Sequence, residues 1–387
     1  MNIKIDQGYL LKTICDMVKI NSVNPSLVPG APGEVNIAEY VSNSLKNIGL
    51  EVHRHEPEPG RISVVGILKG QGGGRSLMLN GHYDTVEIEG MADPFSGEIR
   101  NGNLYGRGAY DMKASVAAQM AAARALIDNG ITLSGDLLIA AVADEEYASI
   151  GTADLATRYK VDGAVVTEPT QMQVCTAHKG FAWLEIETRG RAAHGSQYQI
   201  GVDANLHMGR VIGEMEKLLR EIYDRKHHPL LGPGSFHVST IEGGAGLSTY
   251  SERCVIQLER RTLPGETQAQ VVAEYQEILD RLSSQDPDFK ASLKTLLVRS
   301  PFEVSEDAAI VKAIQSATSE VIGATGPVIG ENPWMDSAIL SDAGIETVVM
   351  GPAGTGAHAL EEWVDVQSVI DFTRVLAKTA LNYCQPV

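Results

Sequence analysis

Apolar residues recur at two spacings along the chain, and the alternation between them lays out a fold. "YLLKTICDMVKI" and "NIAEYVSNSLKNIGL" set apolar side chains three and four apart, which predicts helices, the second stopping at Gly49. Short apolar runs follow in "RISVVGIL", "SLMLNGHYD", "LLIAAVA" and "GAVVTE" and predict buried strands. Between the second and third runs lies "MKASVAAQMAAARALIDNG", an alanine-rich stretch of high helix propensity ending at Gly130. Strands separated by helices of this length need crossover connections, so an α/β fold with a mostly parallel, covered sheet is expected.

From about residue 180 the pattern changes. "FAWLEIETRGRAAH" alternates like a half-exposed strand. The helix "ANLHMGRVIGEMEKLLREIYD", the strands "FHVSTIEGG" and "RCVIQLERRTL", and the helix "TQAQVVAEYQEILDRLSS" come next. This order reads as an α+β unit with a four-stranded sheet and two helices. After the polar break "SQDPDF" the buried pattern resumes in "KTLLVRS", "DAAIVKAIQSATSEVIG", "ETVVMG" and "DVQSVIDFTRVLAKTALN". The expected organisation is one domain in two segments, 1–179 and 293–387, split by an inserted domain at 180–292. No internal repeat is found, and "GQGGG" at 70–74 lacks the Gly-Lys-Ser/Thr ending of a phosphate-binding loop.

Length and charge narrow the classes of function. The 387 residues suffice for two domains, and 32 basic against 49 acidic residues give a net charge of −17. That balance argues against nucleic acid or an anionic membrane as partner. No run approaches the ~18 apolar residues of a membrane span. "MNIKIDQGYLLKTICDMVKI" scatters charges where a secretory signal needs an apolar core. Cys15, Cys175, Cys254 and Cys384 lie far apart and suit reduced thiols, so a cytoplasmic location is expected.

The candidate chemistry collects at the ends of the expected core strands. "LMLNGHYDTV" delivers His82 and Asp84, "GRGAYDMK" Asp111, "AAVADEE" Glu145 and Glu146, and "AVVTEPT" Glu168. His358 lies in the loop "GPAGTGAHALEEW" after a late strand. Ligands of open α/β sheets bind beyond the carboxyl ends of the strands. Each residue alone has an ordinary explanation: a loop histidine is usually a surface residue, and Asp111 suits a helix N-cap. Together they would force carboxylates close enough to raise one another's pKa, a conflict that divalent cations remove. The triplet Asp144, Glu145, Glu146 ending a buried run poses this most sharply, and one of the two glutamates is expected to ligate metal. Two imidazoles with three carboxylates suit zinc, with cobalt or manganese as substitutes, whereas magnesium and calcium prefer oxygen alone. Five ligands exceed what one catalytic zinc takes and fit two zincs sharing a carboxylate and a hydroxide, about 3.5–4 Å apart.

"GHYDTV", "DPFSGEIRNGNLYGRGAYDMK", "DEE", "TEP", "RAAHGS", "RTLPGE" and "GAHALEEWV" occur in the order and approximate spacing of a family of co-catalytic zinc amidohydrolases. The chain resembles that family, which includes acetylornithine deacetylase, succinyl-diaminopimelate desuccinylase, aminoacylase and glutamate carboxypeptidase, over essentially its whole length. The resemblance implies His82 and Glu168 as ligands of one zinc, Glu146 and His358 of the other, and Asp111 as the bridge. Asp84 would orient His82, and Glu145 would be the general base. It further implies that the inserted domain is a lid and dimer interface. His194 would then reach the partner's active site to help hold the oxyanion. Arg261 matches a family arginine that binds the substrate carboxylate, while the parity of Arg260 and Arg261 on their strand stays open. Ala114 and Met91 depart from the family's usual glycine and tryptophan without touching an implied ligand. Trp334 and Asp336 in "GENPWMDS" either shape the pocket or cap the following helix.

The function expected is hydrolysis of the amide bond of a small, carboxylate-bearing N-acyl amino acid by a zinc-bridging hydroxide. The chain is expected to act as a homodimer with two Zn2+ per chain. The alternative within the family is a dipeptidase or carboxypeptidase. A serine hydrolase is disfavoured because no G-x-S-x-G occurs and Ser196 in "HGS" has no nucleophile-elbow context.

Overall fold

The computed structural model describes residues 3–225 and 227–386, which gather into two compact units. The first comprises the chain up to Thr176, Val304–Ile329 and the part from Met335 onward. Its sheet runs, in spatial order, Glu51–Glu58, Arg61–Leu68, Leu137–Val142, Leu77–His82, Gly163–Val166 and Glu346–Val349, and Val349 then pairs with Cys175. The four strands from Leu137–Val142 to Glu346–Val349 are mutually parallel, while the first two and Cys175 pair antiparallel.

Parallel strands need helices on their faces, and the sequence supplies them. Ala114–Asp128 is buried nearly all round, which its run of alanines permits because small side chains let the helix approach the sheet closely. Gln7–Lys19 starts at Asp6, whose side chain accepts from the Tyr9 N–H at 2.9 Å, and buries Leu10, Ile14, Met17 and Val18. Val366–Tyr383 starts in the same way at Asp365, which accepts from Ser368 N at 2.6 Å. Gly81, one residue before His82, has no room for a side chain. A Cβ there would lie 2.7 Å from Met112 Cε, 2.8 Å from Gln119 Nε2 and 2.9 Å from Thr167 Oγ1.

The second unit, Ala177–Glu303 with Gly330–Trp334, holds an antiparallel sheet ordered Ser235–Gly243, Arg253–Thr262, Gly180–Arg189, Lys290–Arg299. The helices Ala204–Asp224 and Gln268–Gln285 cover one face, around Leu184, Ile186, Ile256, Leu258, Met215 and Tyr275. A reciprocal Thr267–Gln270 capping box starts the second helix. "KTLLVRS", read above as the return to the first domain, is the end of the fourth strand here, so the expected boundary at 292 falls inside Lys290–Arg299. Ala291 and Leu293 pack against this unit's core, an alternation too short and too weakly apolar to stand out beside the runs that follow. Among the described residues no helix is long and apolar enough to cross a membrane, and none of the four cysteines forms a disulfide.

Candidate metal centre

The carboxyl ends of the parallel strands deliver most of the candidate residues to one place. His82 closes Leu77–His82, the acidic triplet follows Leu137–Val142, and Glu168 follows Gly163–Val166. His82 Nε2 stands 3.0 Å from Asp111 Oδ1 and 3.4 Å from Glu168 Oε1. His358 Nε2 stands 3.3 Å from Asp111 Oδ2 and 3.0 Å from Glu146 Oε2. Asp111 therefore offers one oxygen to each imidazole. Glu145 is beside the first cluster, with a carboxylate oxygen within 4.8 Å of ligand atoms of His82 and Glu168. Both groupings, His82–Glu145–Glu168 and His82–Asp111–Glu146, have donor atoms close enough together to hold a metal ion.

Main-chain geometry fixes how these side chains present themselves. His82 Nδ1 lies 3.0 Å from the carbonyl oxygen of Asp84, which can only accept, so Nδ1 carries the proton and Nε2 is left to ligate. The Asp84 carboxylate is farther, at 3.7 Å, and is engaged elsewhere. It accepts from the backbone N–H of Glu145 at 3.2 Å and of Glu146 at 3.3 Å, and from Asn24 Nδ2 at 2.8 Å. Asp84 thus orients His82 through its main chain and the two glutamates through its side chain. Asp111 does not cap Ala114–Asp128, whose N-cap is Lys113; its carboxylate faces the imidazoles instead.

The charges around these groups conflict in the way the sequence suggested. Burial pushes the Glu145 carboxyl well above its ordinary range. Burial and the neighbouring Asp111 carry Glu146 up to about 7, and burial carries Glu168 up to about 8. Burial disfavours a charged His82, yet Glu168 and Asp111 outweigh it and hold the imidazole well above its usual value. Hydrogen bonds to Asp111 and Glu146 raise His358 to about 10. Burial opposes ionisation of Asp111, but its bonds to the two imidazoles hold it below the usual carboxylate range. Two imidazoles among four carboxylates, with Asp111 shared, form a donor set that suits a pair of divalent cations.

Several residues of this site carried no weight in the sequence reading. Arg61 opens an otherwise buried strand and donates from Nη2 to Asp144 Oδ1 at 2.6 Å, so the first acid of the triplet already has its counter-charge. Glu34 accepts from the same guanidinium at 2.7 Å and 2.9 Å. Glu362, within the quoted motif "GAHALEEWV", is buried against Arg107 at 2.7 Å. The signal for Arg61 and Glu362 was a charge at the edge of an apolar stretch. Asp336 is buried, is raised to about 6 by that burial, and makes no side-chain bond to the helix it precedes. Its Oδ2 accepts from Thr152 Oγ1 at 2.5 Å, which decides against the capping role weighed for it.

His194 and Arg261 belong to the second unit. His194 is exposed, with Nδ1 2.8 Å from Ser196 Oγ. The strand Arg253–Thr262 resolves the arginine parity. Arg260 is fully buried with the helix-facing residues Leu258 and Ile256 and donates to Glu266 at 2.6 Å. Arg261 takes the opposite face, paired with Glu259 at 2.7 Å and stacked over Phe181.

A mostly parallel sheet whose strand ends converge on imidazoles and carboxylates, in a chain with a separate four-stranded unit, is an arrangement suited to a hydrolase that works with bound divalent cations. A profile described as "Peptidase family M20/M25/M40" matches residues 78–382. N-formyl-4-amino-5-aminomethyl-2-methylpyrimidine deformylase of Bacillus subtilis is 28% identical, over 92% of this chain and 91% of its own. Acetylornithine deacetylase of Myxococcus xanthus is 27% identical over 97% of each. The crystal structure of aminopeptidase PepT from Bacillus cereus superposes with a TM-score of 0.80 at 19% identity, covering 98% of this chain and 99% of that one. The chain belongs to peptidase family M20/M25/M40 and is a hydrolase acting on amide bonds.

Proposed function

We propose that the chain removes the acyl group of a small N-acyl amino acid with the help of two divalent cations, zinc foremost. The observation that carries this reading is the division of Asp111, one oxygen 3.0 Å from His82 and the other 3.3 Å from His358. His82 and Glu168 would hold one ion, Glu146 and His358 the other, and Asp111 both. Bound there, the ions would polarise the scissile carbonyl and bring the pKa of a water toward neutrality. Glu145 would take a proton from the attacking water and return it to the leaving amine, a double duty suited to a carboxyl whose pKa burial has raised. Asp84 keeps Glu145 and Glu146 in place through their backbone N–H groups.

In the second unit, Arg261, held by Glu259, would select a substrate with a free carboxylate. His194 would serve the oxyanion in the site of a second copy, the chain acting as a cytoplasmic homodimer through this second unit. In support, Ser235–Gly243 is an edge strand, exposed along much of its length. The two relatives named above, whose names describe removal of a formyl and an acetyl group, favour acyl substrates over peptides.

The test is a panel of N-formyl, N-acetyl and N-succinyl amino acids and dipeptides, run on protein as purified, after chelation, and after return of Zn2+. The expected result is turnover of an N-acyl substrate that chelation abolishes and zinc restores. Undiminished turnover by stripped protein would overturn the metal reading, and turnover of dipeptides alone would overturn the substrate class.

A further inference from the structure

Glu362 is nearly inaccessible, and the hydrogen bonds its carboxylate accepts come from the segment carrying Asp111. Oε2 accepts from Arg107 Nη1 at 2.7 Å and from Gly108 N at 3.1 Å. Oε1 accepts from Tyr110 N at 2.9 Å and from Asp111 N at 3.0 Å. Arg107, also buried, spends its remaining donors on two other loops: Nη2 reaches the carbonyl of Ala359 at 2.9 Å and Nε that of Glu87 at 3.1 Å. One ion pair therefore ties together the stretch ending in Asp111, the loop carrying His358, and the loop at Glu87.

We propose that Glu362 is a positioning residue for the metal centre, its carboxylate holding residues 107–111 so that Asp111 meets both His82 and His358. The proposal rests on the two-cation reading above. Its chemistry depends on an anion at this position. Four N–H groups converge on two oxygens, a demand that a carboxylate meets with acceptors on both sides. Glutamine keeps the shape but turns an NH2 toward two of those donors, leaving them buried and unmatched. Aspartate keeps the charge but withdraws it by one methylene. Because His358 and Glu362 are four residues apart on one loop, a displaced Glu362 also loosens the imidazole on the far side of Asp111.

The experiment compares E362Q, E362D and, as a control on an exposed neighbour, E361Q. Each is measured in metal-free form by circular dichroism and thermal melting, then titrated with Zn2+ against a competing chelator and with Co2+ by its visible spectrum. Loss of a carboxylate that orients a ligand lowers metal affinity about 10- to 100-fold. The expected result is that E362Q keeps the wild-type circular dichroism, binds metal that much more weakly and shows an altered cobalt spectrum. E362D should fall between it and wild type, and E361Q should match wild type. Should E362Q fail to fold, E362D carries the test alone, through its affinity and spectrum. Wild-type affinity and spectrum in the folded variants would overturn the proposal. E146Q separates that outcome from failure of the metal reading: loss of metal in E146Q but not in E362Q sinks the positioning role alone. Wild-type protein that binds no metal sinks the reading beneath it.

Discussion

Arg61 offers the strongest perturbation of the scaffold behind the acidic triplet. Its guanidinium is buried against Glu34 and Asp144, at 2.7 Å and 2.6 Å, with Ser26 Oγ taking a further bond at 2.9 Å. Replacement by methionine keeps most of the volume and removes the charge, leaving two inaccessible carboxylates facing each other. Asp144 retains Asn24 Nδ2 at 3.0 Å, whereas Glu34 loses the guanidinium that supplied its side-chain bonds. Removing one partner from a buried pair costs about 3–5 kcal/mol, chiefly because the other charge stays behind. For a unit of this size each kcal/mol lowers the melting temperature by roughly 2 °C, so R61M should melt about 6–10 °C below wild type. The assay is differential scanning calorimetry of metal-free wild type, R61M, E34Q and R61M/E34Q. If the cost is an orphaned charge, the double variant should lose less than the sum of the two single losses, by about 1 kcal/mol or more. A melt within about 2 °C of wild type for R61M, or strict additivity in the cycle, would refute the reasoning.

Two further outcomes test the site itself. E145Q should lower kcat by about 10²- to 10⁴-fold, the usual contribution of a general base, while metal content measured by plasma emission stays at the wild-type level; loss of metal would reassign Glu145 as a ligand. Metal affinity should rise with pH. Without metal, Glu146, Glu168 and His358 are held up at about 7, about 8 and about 10, so at neutral pH the site carries protons that a cation must displace. Binding then releases protons, and the apparent affinity for Zn2+ climbs as pH rises from about 6 through about 8, the range in which the two glutamates give up their protons. Calorimetric titration in buffers of different ionisation enthalpy reads that release directly, and a flat affinity would mean that these side chains are not the ligands.

What the sequence reveals about this molecule follows the range of the forces involved. Leu137–Val142 stands out as an unbroken apolar run, and Arg61–Leu68 as one interrupted after Arg61 only by Ser63, because both are buried on both faces. Glu51–Glu58, "EVHRHEPE", does not, because as an edge strand it needs no apolar side chain on its exposed positions. The candidate ligands are legible because each must sit at a strand end or in a short loop beside one, a local constraint. Their supports are not. Arg61 lies 83 residues from Asp144, Asn24 lies 60 from Asp84, and Glu362 lies 252 residues from Tyr110. No local pattern marks those pairs, since a charge is placed by whatever buried charge it must neutralise, wherever that falls in the chain.

The acidic triplet shows the consequence for inference. Its three carboxylates look like one electrostatic problem with one solution, a metal, yet the fold answers each separately. Asp144 turns away to Arg61, Glu146 turns to His358, and Glu145 remains beside His82 and Glu168. The turn that separates them places Asp144 in the left-handed region, at φ 71°, with Asp84 gathering the next two N–H groups. Counting charges along the sequence asks for positive charge near this turn, and the fold supplies part of it as Arg61, so that Asp144 makes no demand on a metal. The division of labour between adjacent acids is a property of the backbone at Asp144, which only the folded chain displays.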